Sequence, residues 1–128
     1  MKHTLLLVAS LFIATILQAQ RISDATGNTI ARFDGERVTD KSGKTMGRID
    51  GDRITDASGR TVGRVEGDRI SDASGRTIGR IDGDRLTDAS GRTIGRLDGD
   101  RVSDATGKTM LRLDGIRRMQ AIIFFYFF

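Results

Sequence analysis

A sixteen-residue phrase recurs six times in this chain, starting at Arg21, Arg37, Arg53, Arg69, Arg85 and Arg101, with no insertion or deletion between copies. A fixed period restricts a chain to repeat architectures, in which a unit too small to bury its own apolar side buries it against its neighbours. The third and fourth copies read RITDASGRTVGRVEGD and RISDASGRTIGRIDGD. A residue present in every copy is first a candidate for a backbone role, and only then for chemistry.

Each copy carries two turn signals. The first is Asp-x-x-Gly, as at Asp56-Ala57-Ser58-Gly59. Asp can bond the backbone two residues on and Gly accepts a positive φ, which predicts a type I turn closing in a G1 bulge. The second is Asp-Gly or Glu-Gly, as at Asp82-Gly83, flanked by apolar residues. That dipeptide predicts a two-residue type I′ hairpin. The segments between turns, such as Arg-Ile-Thr-Asp and Thr-Ile-Gly-Arg-Ile, are rich in β-branched residues and lack Pro. Gly at intervals of eight residues or fewer excludes helices within the repeat. The expected fold class is all-β: a meander of twelve short antiparallel strands, arranged as hairpins around an axis.

Three positions per copy are apolar, at 54, 62 and 65 in the third copy. The last two are three apart, which breaks the two-residue alternation of a strand. Gly63 lies between them, with Gly47, Gly79 and Gly95 at the equivalent places. A glycine inside a strand predicts a bulge or a close backbone approach, and a bulge there would return both aliphatics to one face. About eighteen such aliphatics make a thin core for the repeat.

The two ends depart from the repeat. Lys2, the apolar run Leu5 to Leu17 and the small-residue site Leu17-Gln18-Ala19 predict a secretory signal peptide over residues 1–19. Its removal leaves 20 basic against 17 acidic side chains, a mild excess rather than the concentrated basic patch that nucleic acid requires. It also leaves no His and no Cys, so imidazole or thiol catalysis and the usual zinc sites are unavailable. The repeat domain is expected over 20–116 and an apolar tail over 117–128. The tail closes on Ile122, Ile123, Phe124, Phe125, Tyr126, Phe127 and Phe128. Exposed, such a run is an aggregation hazard; buried, its rings supply the apolar area that the aliphatics lack. In the sixth copy Leu111 stands where four copies have Gly, and Ile116 where the others have Asp or Glu. Both changes make the copy nearest the tail more apolar, and the tail is expected as a plug in the middle of the ring.

These features resemble the bacterial five-fold β-flower proteins. The matching residues are the leader ending at Ala19-Gln20, the phrase from Asp72 to Asp82, and the terminal run from Ile122 to Phe128. The resemblance implies a small exported all-β protein whose hairpins radiate like petals, and it implies no activity. Five hairpins are complete, around Gly35, Gly51, Gly67, Gly83 and Gly99, and a sixth at Gly115 is degenerate, so closure by five or by six copies stays open.

The candidate chemistry is sparse. Acid pairs such as Asp50-Gly51-Asp52 recur identically on surface turns, whereas a glycosidase needs two acids in different environments. No calcium loop of the EF-hand or nonapeptide kind is present. The segments are too short and too charged for a membrane-crossing strand. No enzyme, cofactor or metal site is expected. Arg48, Arg64, Arg80 and Arg96 occupy one repeat position, and around a closed ring they would form a circle. They are either a ladder of ion pairs on a solvated face or an array that engages an anionic polysaccharide or cell-envelope partner at several points. The expected role is a structural or interaction protein, periplasmic or extracellular, with the anionic-polymer binder as the alternative.

Overall fold

The computed structural model describes residues 20–128, so the expected signal peptide lies outside the described residues. Twelve strands run in chain order: β1 (Arg21–Asp24), β2 (Thr29–Asp34), β3 (Arg37–Asp40), β4 (Thr45–Asp50), β5 (Arg53–Asp56), β6 (Thr61–Glu66), β7 (Arg69–Asp72), β8 (Thr77–Asp82), β9 (Arg85–Asp88), β10 (Thr93–Asp98), β11 (Arg101–Ser103) and β12 (Thr109–Asp114). Each pairs antiparallel with its sequence neighbours, and β1 closes on β12 to complete a barrel. The closing register sets Ile22 opposite Leu113 and Arg21 opposite Asp114, with an ion pair of 3.7 Å between the latter two. All six copies therefore contribute a strand pair to the wall, while the sixth Asp-Gly turn, at Gly115, leads from β12 into the tail and closes no hairpin. Closure leaves no unpaired edge, which removes the aggregation route open to a flat meander.

The two turns differ from one another as the repeat requires. At Asp-x-x-Gly, the Gly59 N–H donates to the Asp56 carbonyl (3.1 Å) and the Asp56 N–H to the Arg60 carbonyl (2.8 Å). The Asp56 carboxylate accepts from the Ser58 hydroxyl at 2.7 Å, the Ser58 N–H at 2.9 Å and the Arg60 N–H at 3.0 Å. The Ser58 hydroxyl and then the Arg60 N–H hold this carboxyl below its ordinary pKa, and Asp24, Asp40, Asp72, Asp88 and Asp104 are lowered in the same way by their own turns. The acid recurs because each turn is built on it.

The second turn is not the expected type I′. Glu66 pairs with Arg69, so the two loop residues are Gly67 and Asp68. Gly67 has φ +62°, while among the described residues no non-glycine residue has a positive φ. Type I′ needs a positive φ at both central positions; Gly at the first alone is the type II′ pattern. The Asp or Glu before the glycine belongs to the strand, where it is placed to meet the Arg opposite.

The expected bulge exists, one residue earlier than glycine. Ile54 pairs with Gly63 and Thr55 with Thr61, which leaves Val62 as the extra residue. Gly63 stays in the ladder, buried and facing inward together with Val65, while Val62 is half-buried at one mouth of the barrel. The two aliphatics are thus split between mouth and interior rather than restored to one face.

The tail is a helix, α1 (Arg118–Phe127), inside the all-β wall. The Arg117 N–H donates to the Gln120 side-chain oxygen at 2.8 Å, which closes the helix start. Helix is the form that a single segment can take inside a closed barrel, because it satisfies its own backbone while every wall strand is already paired. Arg118 ties the N-terminal end to the β8–β9 turn, through an ion pair with Asp84 at 3.1 Å and a hydrogen bond to the Gly83 carbonyl. Ala121, Ile122 and Ile123 are buried among the inward aliphatics Ile54, Ile70, Leu86 and Val102, and Phe124 is buried in a second cluster.

Candidate functional site

The interior explains the glycine that recurs in β4, β6, β8 and β10. Phe128 lies against Gly47, Phe127 against Gly63, Tyr126 against Gly79 and Phe125 against Gly95. A side chain on any of these glycines would meet the ring within 3 Å, so each glycine is a socket for one aromatic. Phe124 stacks on Phe128, with ring centroids 6.1 Å apart, and packs in the cluster of Ile22, Ala31, Phe33 and Val38. The first copy accordingly carries Ala31 at the socket position. In the sixth copy Leu111 stands there and packs against both apolar clusters.

Tyr126 adds a polar anchor. Its hydroxyl donates at 2.6 Å to the Thr87 carbonyl and lies 3.2 Å from the Arg80 carbonyl. Burial raises this phenol from its ordinary 10.0 to about 12, with the Asp88 charge adding to the rise. The folded-state value stands above the unfolded one, so the contribution to stability is complete below about 10 and is lost as pH rises through about 12. Tyr126 is the sole tyrosine, so tyrosinate absorbance reports it alone. A titration midpoint near 12 in the folded protein is expected, returning to about 10 in denaturant. A folded-state midpoint at the free value would show that the ring does not occupy its socket.

The wall carries the arginines. Arg48, Arg64, Arg80 and Arg96 lie on β4, β6, β8 and β10, all exposed on the outer face. The register sets them directly opposite Arg37, Arg53, Arg69 and Arg85. Three of those opposed arginines are compensated: Arg37 by Asp34 at 3.2 Å, Arg53 by Asp50 at 3.4 Å and Arg85 by Asp82 at 3.0 Å. Of the candidate four, only Arg64 meets a carboxylate, Asp52, at 3.9 Å. Among the described residues Arg48, Arg80 and Arg96 form no ion pair. A ladder of ion pairs therefore describes the first arginine of five copies, Arg69 being the exception, and of the second arginines it describes Arg64 alone among these four. Like charges directly opposite on a sheet repel, so the belt is held in place by the fold rather than helping to hold it.

One family of known proteins matches this arrangement. A family model described as 5-fold beta-flower protein matches residues 12–128. The chain belongs to the β-flower family. No curated protein and no solved structure matches it. In this β-flower six copies close the barrel, twelve strands in all, with five terminal aromatics inside it. No helix among the described residues is long and apolar enough to cross a membrane. Among those residues no group of three or more acids gathers as a metal would need.

Sequence reasoning missed the socket role of the glycines and one further surface. The bulge residues Ile30, Met46, Ile94 and Met110, with Leu111 and the aromatic rings, line an apolar pocket of about 580 Å³ at the mouth where α1 ends. The available signal was the aliphatic immediately before the socket glycine, which alternation could not place.

Proposed function

We propose that this β-flower is an exported, non-enzymatic interaction module that presents a rigid belt of arginine to an anionic polymer, a cell-surface glycan or an acidic envelope component. The observation that carries the reading is the lack of ion pairs at Arg48, Arg80 and Arg96, each set opposite another arginine. Charge that only solubilised the wall could pair with the acids interleaved around it; charge kept free and evenly spaced can meet a repeating anion at several points. The signal peptide expected over residues 1–19 supports export.

Replacing Arg48, Arg64, Arg80 and Arg96 together with Gln tests the reading. Retention on immobilised heparin, a model anionic polymer, is expected to fall sharply at about 0.15 M salt, because four of the six arginines at this repeat position lose their charge and only Arg32 and Arg112 remain. The melting temperature is expected to hold or rise, since the change relieves opposed like charges. A variant retained like the parent, or one that melts several degrees lower, would return these arginines to a scaffolding role.

A further inference from the structure

Five aromatics serve six copies, and the mismatch leaves a space. Phe125 to Phe128 take the sockets of the fifth to the second copy, and Phe124 the cluster of the first. The sixth position is filled from the wall by Leu111, a smaller side chain. The apolar pocket opens on that side: its bulge residues come from the first, second, fifth and sixth copies, Ile30, Met46, Ile94 and Met110, and none from the third or fourth. Its volume, about 580 Å³, and its lining without a charged side chain are those of a site for a small apolar group.

The rim is charged. Two residues before the bulge in the same copies stand Lys44, Arg92 and Lys108, all exposed on the Asp-x-x-Gly turns. Among the described residues none of the three forms an ion pair. The carboxylates of those turns, Asp40, Asp88 and Asp104, accept bonds from their own turn's hydroxyl and N–H groups. An apolar floor thus lies inside a polar rim whose three cations form no ion pair, although each acts on the carboxylate of its own turn. Of the floor's aliphatics only Met110 is exposed, at 41%, so the apolar surface is recessed and does not protrude as insertion into a bilayer requires.

We infer that the mouth binds a single-chain anionic amphiphile of the fatty-acid class, its alkyl chain against Met46, Ile94 and Met110 and its carboxylate toward Lys44, Arg92 and Lys108. The arginine belt lies on the outer wall and plays no part in this site.

Calorimetric titration with decanoate, decanol and decyltrimethylammonium, each below its micelle concentration, tests the inference on the full chain. Decanoate is expected to bind one-to-one and about tenfold more tightly than the cation, as charge-assisted contacts on the rim require. Lys44→Gln with Arg92→Gln and Lys108→Gln should weaken decanoate about tenfold and leave decanol unchanged. Met46→Glu with Met110→Glu should abolish binding of decanoate and decanol alike. The rim variant changes only exposed turn residues, so it decides the question even where the floor variant misfolds. The Gln variant of the arginine belt should bind decanoate like the parent. Equal affinity for anion and cation would overturn the proposal. So would no saturable binding of any of the three, or association with phosphatidylglycerol vesicles without binding of free decanoate.

Discussion

Removal of residues 121–128 is expected to leave a chain that does not fold. The deletion takes away Ala121, Ile122, Ile123 and Phe124, all buried, and the four rings that fill the glycine sockets. Truncating one large buried side chain costs about 2–5 kcal/mol, while the whole stability of a small domain is about 5–15 kcal/mol. The loss of several such side chains exceeds what the wall can sustain, and six opposed strand pairs around an empty interior would collapse or associate. A milder variant isolates one ring: Phe124→Ala is expected to cost about 3–5 kcal/mol and to lower the melting temperature by about 15 °C. Circular dichroism and light scattering on the truncated protein check the first expectation. A soluble monomer that melts like the parent would show that the helix is an accessory to a self-sufficient barrel.

Gly63→Ala is expected to be far more damaging to the wall than the same methyl added at Gly95. Its Cβ would meet the Phe127 ring and also the Ser71 carbonyl at 2.5 Å. A ring can tilt, but a carbonyl held in the ladder cannot, so the strand itself must shift. A cost of about 3 kcal/mol is expected, at the upper end of ordinary overpacking. Gly95→Ala is the internal control. There the nearest atoms belong to the Phe125 ring, at 2.7 and 2.9 Å, and the Ser103 carbonyl stands off at 3.3 Å. Because the contact is mainly with a side chain, the cost should fall to about 1 kcal/mol. Thermal or urea unfolding of the two variants gives the comparison. Equal effects at the two sites would mean that the ring contact common to both, and not the wall carbonyl, sets the cost. The result bears on function as well, because the belt arginines Arg64 and Arg96 each follow a socket glycine and take their position from it.

Much of this architecture was legible in the repeat. The Asp-x-x-Gly turn follows from local chemistry, in that Asp56 bonds its own turn and Gly59 takes a φ of +90°. The Asp-Gly dipeptide located the second turn but misplaced its centre by one residue. Asp82 was free to be either a turn residue or the last strand residue, and its pairing with Arg85 decided the matter. The candidate arginines were legible as a ring, yet their sequence does not say which partner each would meet. Asp and Arg alternate so closely that only the register assigns Asp82 to Arg85 and leaves Arg80 without an acid.

The period, the turn chemistry and the apolar tail by themselves determined that this chain makes six hairpins and buries its end, because these are local properties or properties of composition. Three outcomes needed the tertiary structure. The tail became a helix because every wall strand already had two partners, so a strand in the interior would have left its backbone unpaired. The bulge fell on Val62 and not on Gly63 because the glycine had to stay in the ladder facing Phe127. The mouth pocket exists because the helix end brings five rings to a wall of six copies. Five consecutive rings consequently cannot fill six sites, and the remainder appears at the seam beside Leu111 as an apolar space that no single repeat encodes.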